Sequence, residues 1–281
     1  MSFNDKYIDL HIHSVVSDGT WTPQEIAKVI QSSGVGIYSI TDHDDLVGVL
    51  NGEKFAKDSN LNYLRGVEIS STFQGNCEHI LAYGIDLNND SLNELLQENR
   101  DKMYHKDDSS IQYLEKEGFN VNYNDFQNYI NDKSRGGFKV LNYLIDIGIC
   151  KNIKDFFNMF SDIEQVTQFP KFRSSDEVIE IIKKAGGVPV LAHPFYTSRS
   201  TDKVEERLKH FLNVGVEGIE CFHPNHSAQI SKECMDFCKK NNLIMTVGSD
   251  SHGTLLNTRK IGMHSIKVGD IEIGRLRQYI L

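Results

Sequence analysis

Short β-branched or aromatic runs alternate with capped helical stretches along this chain, and that alternation most narrows the folds open to it. Tyr7 to His11 is the first run. Thr22-Pro23-Gln24-Glu25 then supplies an N-cap, a proline at the first helical position and a glutamate at N3, which predicts a helix to Ser33. Gly34-Val35-Gly36 stops it, Ile37 to Thr41 reads as a buried strand, and a second helical stretch reaches Lys57. This β-α-β-α opening continues with strands over Leu61 to Ile69 and Ile80 to Ile85. From Asn88 to Phe172 helical stretches replace strand signals (Leu92 to Glu117, Tyr123 to Ile130, Lys139 to Ile147, Ile153 to Phe160). The alternation then resumes. Ser174-Ser175-Asp176-Glu177 is a second capping box opening a helix to Ala185, followed by strands at Val188 to Ala192, Gly218 to Phe222 and Leu243 to Gly248, with a helix over Ala228 to Asn241. The expected organisation is a discontinuous α/β domain, 1–87 with 173–281, interrupted by a helical insertion domain at 88–172.

With 281 residues and 39% apolar content the chain can bury a large core, which excludes a disulfide-stapled mini-protein and a disordered tail. Thirty Lys and Arg against thirty-nine Asp and Glu leave a net charge of −9, the wrong sign for gripping duplex nucleic acid through its phosphates. No leader-like segment and no membrane-spanning apolar run is read, so a soluble, cytoplasmic protein without membrane contact is expected, and no obligate protein partner is inferred. The five cysteines include no C-x-x-C pair. Any metal must therefore be held by histidines and carboxylates.

Those residue types fall at strand ends. His11 and His13 follow the first strand, Asp42 and His43 the second, Glu68 ends the third, His193 follows Val188 to Ala192, Glu220 lies in the next, and Asp250 and His252 follow Leu243 to Gly248. His79 instead starts its strand, a conflict that a reversed strand or a longer loop resolves. Singly, each has a plain structural reading: Thr41-Asp42-His43-Asp44 caps the following helix through Asp42 or Asp44, and Asp18-Gly19 makes a turn. Jointly they gather on the face where a (β/α) barrel keeps its active site, and a metal centre is expected. His105, His210 and His264 are read as surface residues, and His223 and His226 as undecided.

Asp9-Leu10-His11-Ile12-His13-Ser14 with Ser17-Asp18-Gly19, Thr41-Asp42-His43-Asp44, Gly66-Val67-Glu68-Ile69-Ser70, Glu78-His79-Ile80-Leu81, Ala192-His193-Pro194 and Gly248-Ser249-Asp250-Ser251-His252-Gly253 together resemble the PHP (polymerase and histidinol phosphatase) superfamily of metal-dependent phosphoesterases. Asp18 and the helical insertion look most like its stand-alone bacterial branch acting on nucleoside phosphates, 3′,5′-bisphosphates and short RNA 5′ ends. The resemblance implies a distorted (β/α)7 TIM-like barrel and three divalent metal ions, with manganese, zinc and iron all compatible with the ligands. It implies that His11, His13 and Asp250 bind one metal, that Glu68 bridges it to another, that Asp18, His43 and His193 bind a second, and that His79 with His252 completes a third. Relatives commonly carry Arg-Pro-His in the insertion; here Ser134-Arg135-Gly136-Gly137-Phe138 lacks the histidine.

Three divalent ions against Asp18, Glu68, Asp250 and a hydroxide would leave about two positive charges, enough to draw a phosphate dianion into an acidic protein. The expected chemistry is in-line attack of a metal-bridging hydroxide on a phosphomonoester of a small nucleotide, with Asp250 and His193 central to catalysis. Arg135 and Arg199 are expected to hold phosphate, and His223 or His226 to bind substrate and protonate the leaving alkoxide. Two alternatives stand beside this: histidinol-phosphate phosphatase, and a non-catalytic PHP module serving structure or interaction. Phosphate-binding P-loops and G-x-S-x-G elbows are absent.

Overall fold

The computed structural model describes residues 2–195 and 204–281. After a short 3-10 turn at the N-terminus, β1 (Tyr7–Asp9) leads to α1 (Pro23–Ser33), β2 (Val35–Tyr38), α2 (Val47–Asp58) and β3 (Asn62–Tyr63). Thr22 accepts from the Glu25 amide while Glu25 reaches back to the Thr22 amide, so the first capping box forms as read, and Gly34 ends the helix at φ 80°. The cap at α2 differs from expectation. Asp45 Oδ1, not Asp42 or Asp44, accepts from the Val47 amide at 2.8 Å, because the other two carboxylates are drawn inward by buried partners.

The single strand expected over Leu61 to Ile69 is two, β3 and β4 (Gly66–Phe73), so Glu68 sits near a strand start rather than its end. A two-residue turn, Gln74-Gly75, with both φ positive joins β4 to β5 (Asn76–Tyr83). That is the handedness an antiparallel hairpin favours. β5 is reversed, antiparallel to both β4 and β6 (Val188–Leu191), and this resolves the position of His79. β7 (Gly218–Phe222) and β8 (Ile244–Val247) then add in parallel.

The result is a mixed α/β architecture in two sheets, ordered β1-β2-β3 and β4-β5-β6-β7-β8. The sheets meet at two seams: the Leu10 amide donates to the Val247 carbonyl at 2.8 Å, and the Asp44 amide to the Glu68 carbonyl at 2.9 Å. No single closed sheet is formed among the described residues. α8 (Ser175–Lys184), α9 (Val204–Val214) and α10 (Ala228–Asn241) pack on the five-stranded sheet in the main core; α9 has no counterpart in the sequence reading. α1 and α2 bury Ile26, Ile30 and Val49 in a smaller core with Tyr38 and Tyr63.

Between β5 and α8 lie α3 (Asp90–Lys116), α4 (Tyr123–Asn128), α5 (Lys139–Asp146), α6 (Ile153–Phe160) and α7 (Glu164–Thr167). Their apolar faces enclose a cluster of their own, with Ile111, Leu114, Phe126, Leu144, Phe156 and Phe160 buried. α3 serves both cores: Leu92, Leu95 and Leu96 pack in the main one, Ile111 and Leu114 in the other. Midway, Asn99 Nδ2 donates to Asp44 Oδ1 and the Ser70 carbonyl, both at 2.8 Å, which fixes the helix against the strand ends.

Candidate metal centre

Alternation in the β4-β5 hairpin puts Glu68 and His79 on one face, since His79 pairs with Ser70 and Ser70 lies two residues from Glu68. Glu68 becomes the hub of the site. Its Oε2 lies 3.0 Å from His11 Nε2, 3.2 Å from His13 Nε2 and 3.3 Å from His43 Nδ1. Its Oε1 lies 3.0 Å from His79 Nδ1 and 2.8 Å from His193 Nε2. Five imidazoles thus converge on one buried carboxylate. Asp250 Oδ1 closes the far side, 3.1 Å from His13 Nε2 and 3.6 Å from His11 Nε2, and Asp18 Oδ2 stands 3.2 Å from His252 Nε2. His11 and His13 are fully buried, whereas Asp18 and His43 are 27% and 29% exposed, so solvent reaches the cluster from the Asp18 and His43 side.

An outer set of groups decides which ring nitrogens face inward. Glu220 Oε1 accepts from His11 Nδ1 at 3.0 Å while its Oε2 accepts from the His193 amide at 2.7 Å, so one carboxylate orients residues after two different strands. The Asp250 carbonyl lies 2.8 Å from His252 Nδ1; a carbonyl only accepts, so Nδ1 carries the hydrogen and Nε2 faces Asp18. Asp250 Oδ2 is held by His223 Nε2 at 3.1 Å and by Arg259 Nη1, leaving Oδ1 for the cluster. Asp42 ties down the loop bearing Asp18, accepting from the Ser14 amide at 2.7 Å and the Ser17 hydroxyl at 2.7 Å. Asp250 takes φ 48°, a conformation costly for a residue other than glycine and retained here by these contacts. At Gly248 a Cβ would collide with Glu220 Oε1 and His11 Cβ; only glycine lets the two approach.

Electrostatics follow from this crowding. Burial opposes charge on His11, but Glu68, Glu220 and Asp250 outweigh it and hold its pKa well above the ordinary imidazole value. Against the same burial, Asp250 and Glu68 raise His13 to about 10, and Glu68 raises His79. Burial wins at His43, lowered to about 3. Among the carboxylates burial is overcome: His11 with His43 holds Glu68 far down, His252 with His11 does so for Asp250, His252 with His43 for Asp18, and His11 lowers Glu220 to about 2. Four ionised carboxylates in one buried space demand positive charge. The donor set answers that demand for divalent cations: His13, Asp18, His43 and His252; His11, His13 and Asp250; His11, Glu68 and His193; and His43, Glu68 and His79 each bring ligand atoms within 4.8 Å of one another.

All nine residues singled out as metal ligands therefore meet, although they associate differently from the resemblance. Asp18 stands with His252, His13 and His43 rather than with His193, and His79 stands with His43 and Glu68 rather than with His252. The reversed β5 brings His79 to Glu68 from the opposite direction, and His193 turns inward beside His11 because Glu220 holds its amide. Arg135 is engaged elsewhere: Nη1 donates to both oxygens of Asp146 at 2.7 and 2.8 Å. Arg199 lies outside the described residues. His223 belongs to the outer set. His226 Nδ1 donates to the Cys221 carbonyl at 3.3 Å, which leaves its Nε2 without a hydrogen in the neutral ring. His264, read as a surface residue, is half-buried with Nε2 3.1 Å from the Gly248 carbonyl, behind the end of β8. His210, likewise read as surface, is also half-buried, its ring packed on Phe73 at 4.4 Å. His105 is exposed as expected. The sequence reading missed Arg259, which lies on no strand end, and the orienting role of Glu220, whose position on the strand was its only signal. The helical region touches the ligand loop directly, the Gly137 amide donating to the Asp18 carbonyl at 2.7 Å.

A fold of two linked sheets with histidines and carboxylates clustered at strand ends defines a class of metal-centred α/β proteins. A family model for the PHP domain matches residues 9–217, and the chain belongs to that family. It is 28% identical over 249 residues to a 5′-3′ exoribonuclease of Haemophilus influenzae, covering 88% of this chain and 90% of that one. It is 26% identical over 259 residues to a 3′,5′-nucleoside bisphosphate phosphatase of Chromobacterium violaceum, covering 91% and 90%. Among solved structures, an amidohydrolase from Chromobacterium violaceum with bound sulfate superposes with a TM-score of 0.77 at 24% identity, covering 98% and 97% of the two chains. That likeness supports the fold.

Proposed function

We propose that this chain is a divalent-metal-dependent phosphoesterase that hydrolyses phosphomonoesters of small nucleotides, among them AMP, nucleoside 3′,5′-bisphosphates and short 5′-phosphorylated oligonucleotides. The observation that carries this reading is the single buried carboxylate, Glu68, shared by five imidazoles, with Asp250 buried on its far side and Asp18 on the side open to solvent. These nine residues would hold the divalent cations, Glu68 belonging to two of the ligand groups. Such cations supply an activated water and neutralise the phosphate charge. The protein's own residues do the rest: Glu220 and the Asp250 carbonyl fix the imidazoles, and Arg259 and His223 aim Asp250. Relatives that act on RNA ends and on nucleoside bisphosphates support the nucleotide assignment. In the same reading the two sheets, joined through Leu10 with Val247 and Asp44 with Glu68, are arcs of a distorted (β/α)7 barrel, and 88–172 is a helical domain inserted into it.

The test is phosphate release by manganese-loaded protein from AMP, a nucleoside 3′,5′-bisphosphate, a 5′-phosphorylated dinucleotide and histidinol phosphate, beside a chelated control and Asp250→Ala. Chelator-sensitive release from the nucleotides, lost in Asp250→Ala, is expected. Release from histidinol phosphate alone would move the chain to that reaction, and silence with metal bound would leave a non-catalytic module.

A further inference from the structure

Two histidines three residues apart, His223 and His226, follow β7 outside the nine-ligand cluster, and their backbone surroundings set them in opposite tautomers. The Asn225 amide donates to His223 Nδ1 at 3.1 Å, so in the neutral ring the hydrogen is on Nε2, which meets Asp250. His226 is the reverse: its Nδ1–H goes to the Cys221 carbonyl, and its Nε2 is a buried lone pair with no hydrogen-bond partner among the described residues. A turn from the His226 amide to the His223 carbonyl at 2.9 Å, and the Ser227 cap of α10, hold this arrangement rigid. The rings form a row leading away from the cluster, His193 to His223 at 5.1 Å and His223 to His226 at 5.5 Å, with Phe195 6.1 Å from His226.

A buried acceptor with no donor is costly unless a ligand satisfies it. His226 is not part of any three-residue cation site among the described residues, so a metal does not answer for it. Burial lowers its pKa to about 4, which keeps the ring neutral at physiological pH. An ammonium partner would be desolvated between Phe195 and His223, whereas a hydroxyl is matched to a neutral acceptor. We propose that His226 Nε2 accepts a hydrogen bond from a hydroxyl on the alcohol part of the phosphate ester, so that ribose esters are preferred over their deoxy counterparts. This rests on the phosphoesterase reading and deepens it: phosphate on the cluster, sugar along the row of rings.

The experiment compares AMP, 2′-deoxy-AMP and 3′-deoxy-AMP as substrates of the manganese-loaded protein, and adenosine with its two deoxy analogues as ligands by calorimetry, for wild type, His226→Phe and His226→Gln. Wild type is expected to favour the ribose compound over at least one deoxy compound by ~10-fold or more, in both kcat/KM and binding, since a site built around a hydroxyl rejects the analogue lacking it. In His226→Phe that ratio falls toward one, and His226→Gln, which keeps an acceptor, retains part of it. Equal handling of all three compounds by wild type, or a preference that survives in His226→Phe, overturns the proposal. Hydrolysis without discrimination defeats this inference alone; discrimination in nucleoside binding with no hydrolysis of any ester defeats the phosphoesterase reading and leaves the hydroxyl acceptor standing.

Discussion

The strand-end cluster and the apolar cluster of the helical region are both buried and both built by side chains distant in sequence, yet they are stabilised by opposite means. Phe126, Phe156 and Phe160 need only apolar neighbours: removal from water favours their contacts, and edge-to-face packing of Phe156 on Phe160 at 5.2 Å and of Phe126 on Tyr143 at 5.3 Å adds to it. Glu68, Asp250, Asp18 and Glu220 pay for burial with charge that histidine protons or cations must balance. One region is a source of stability. The other is held in place by its own surroundings, through Glu220, Arg259, Asp42 and the seams between the sheets.

Phe160→Ala separates the two regions most sharply. Loss of a fully buried aromatic side chain should cost about 3–5 kcal/mol of stability in urea unfolding, with the metal-binding isotherm below the unfolding transition kept. Metal affinity falling in step with stability would show that the regions act as one. Glu220→Gln cuts the other way. It keeps the shape and removes the charge that orients His11, so metal affinity or activity should fall ~10–100-fold while hydrogen exchange in 111–166 is unchanged; an unaltered affinity would strip Glu220 of its role. The smallest effect is expected at Asp107 on α3, a rare carboxylate next to the apolar cluster. Burial raises its pKa to about 6, above the unfolded value of 3.8, so its contribution is complete below about pH 4 and lost as pH rises through 6. Asp107→Asn should therefore stabilise the protein by on the order of 1 kcal/mol at pH 7 but not at pH 4, read from paired melting curves. A gain at both pH values would refute the titration.

The legibility of the two regions also differs. Capping boxes at Thr22 and Ser174, glycine stops and apolar periodicity announce helices through local chemistry, and α1, α8 and α10 lie where those signals put them. The ligands were readable because strands deliver their ends to one place. Local signals fail where tertiary partners decide. The break between β3 and β4 comes where the chain passes from pairing with β2 to pairing with β5, and the reversal of β5 follows from a two-residue turn whose Gln74 gives little warning. Arg259 finds Asp250 only after the chain has left β8. Which carboxylate serves which histidine is likewise invisible in sequence, since it depends on Glu220 reaching two loops at once.

A backbone contact between Gly137 and Asp18 ties these regions into a single observable. The Gly137 amide, in the helical region, donates to the carbonyl of Asp18, in the loop that carries a cluster carboxylate. A lone backbone proton thereby sits at the junction of scaffold and chemistry. In a spectrum of the labelled protein its resonance is a built-in gauge: occupancy of the cluster and loosening of the helices would each shift or exchange that one signal, without any dye, tag or substrate.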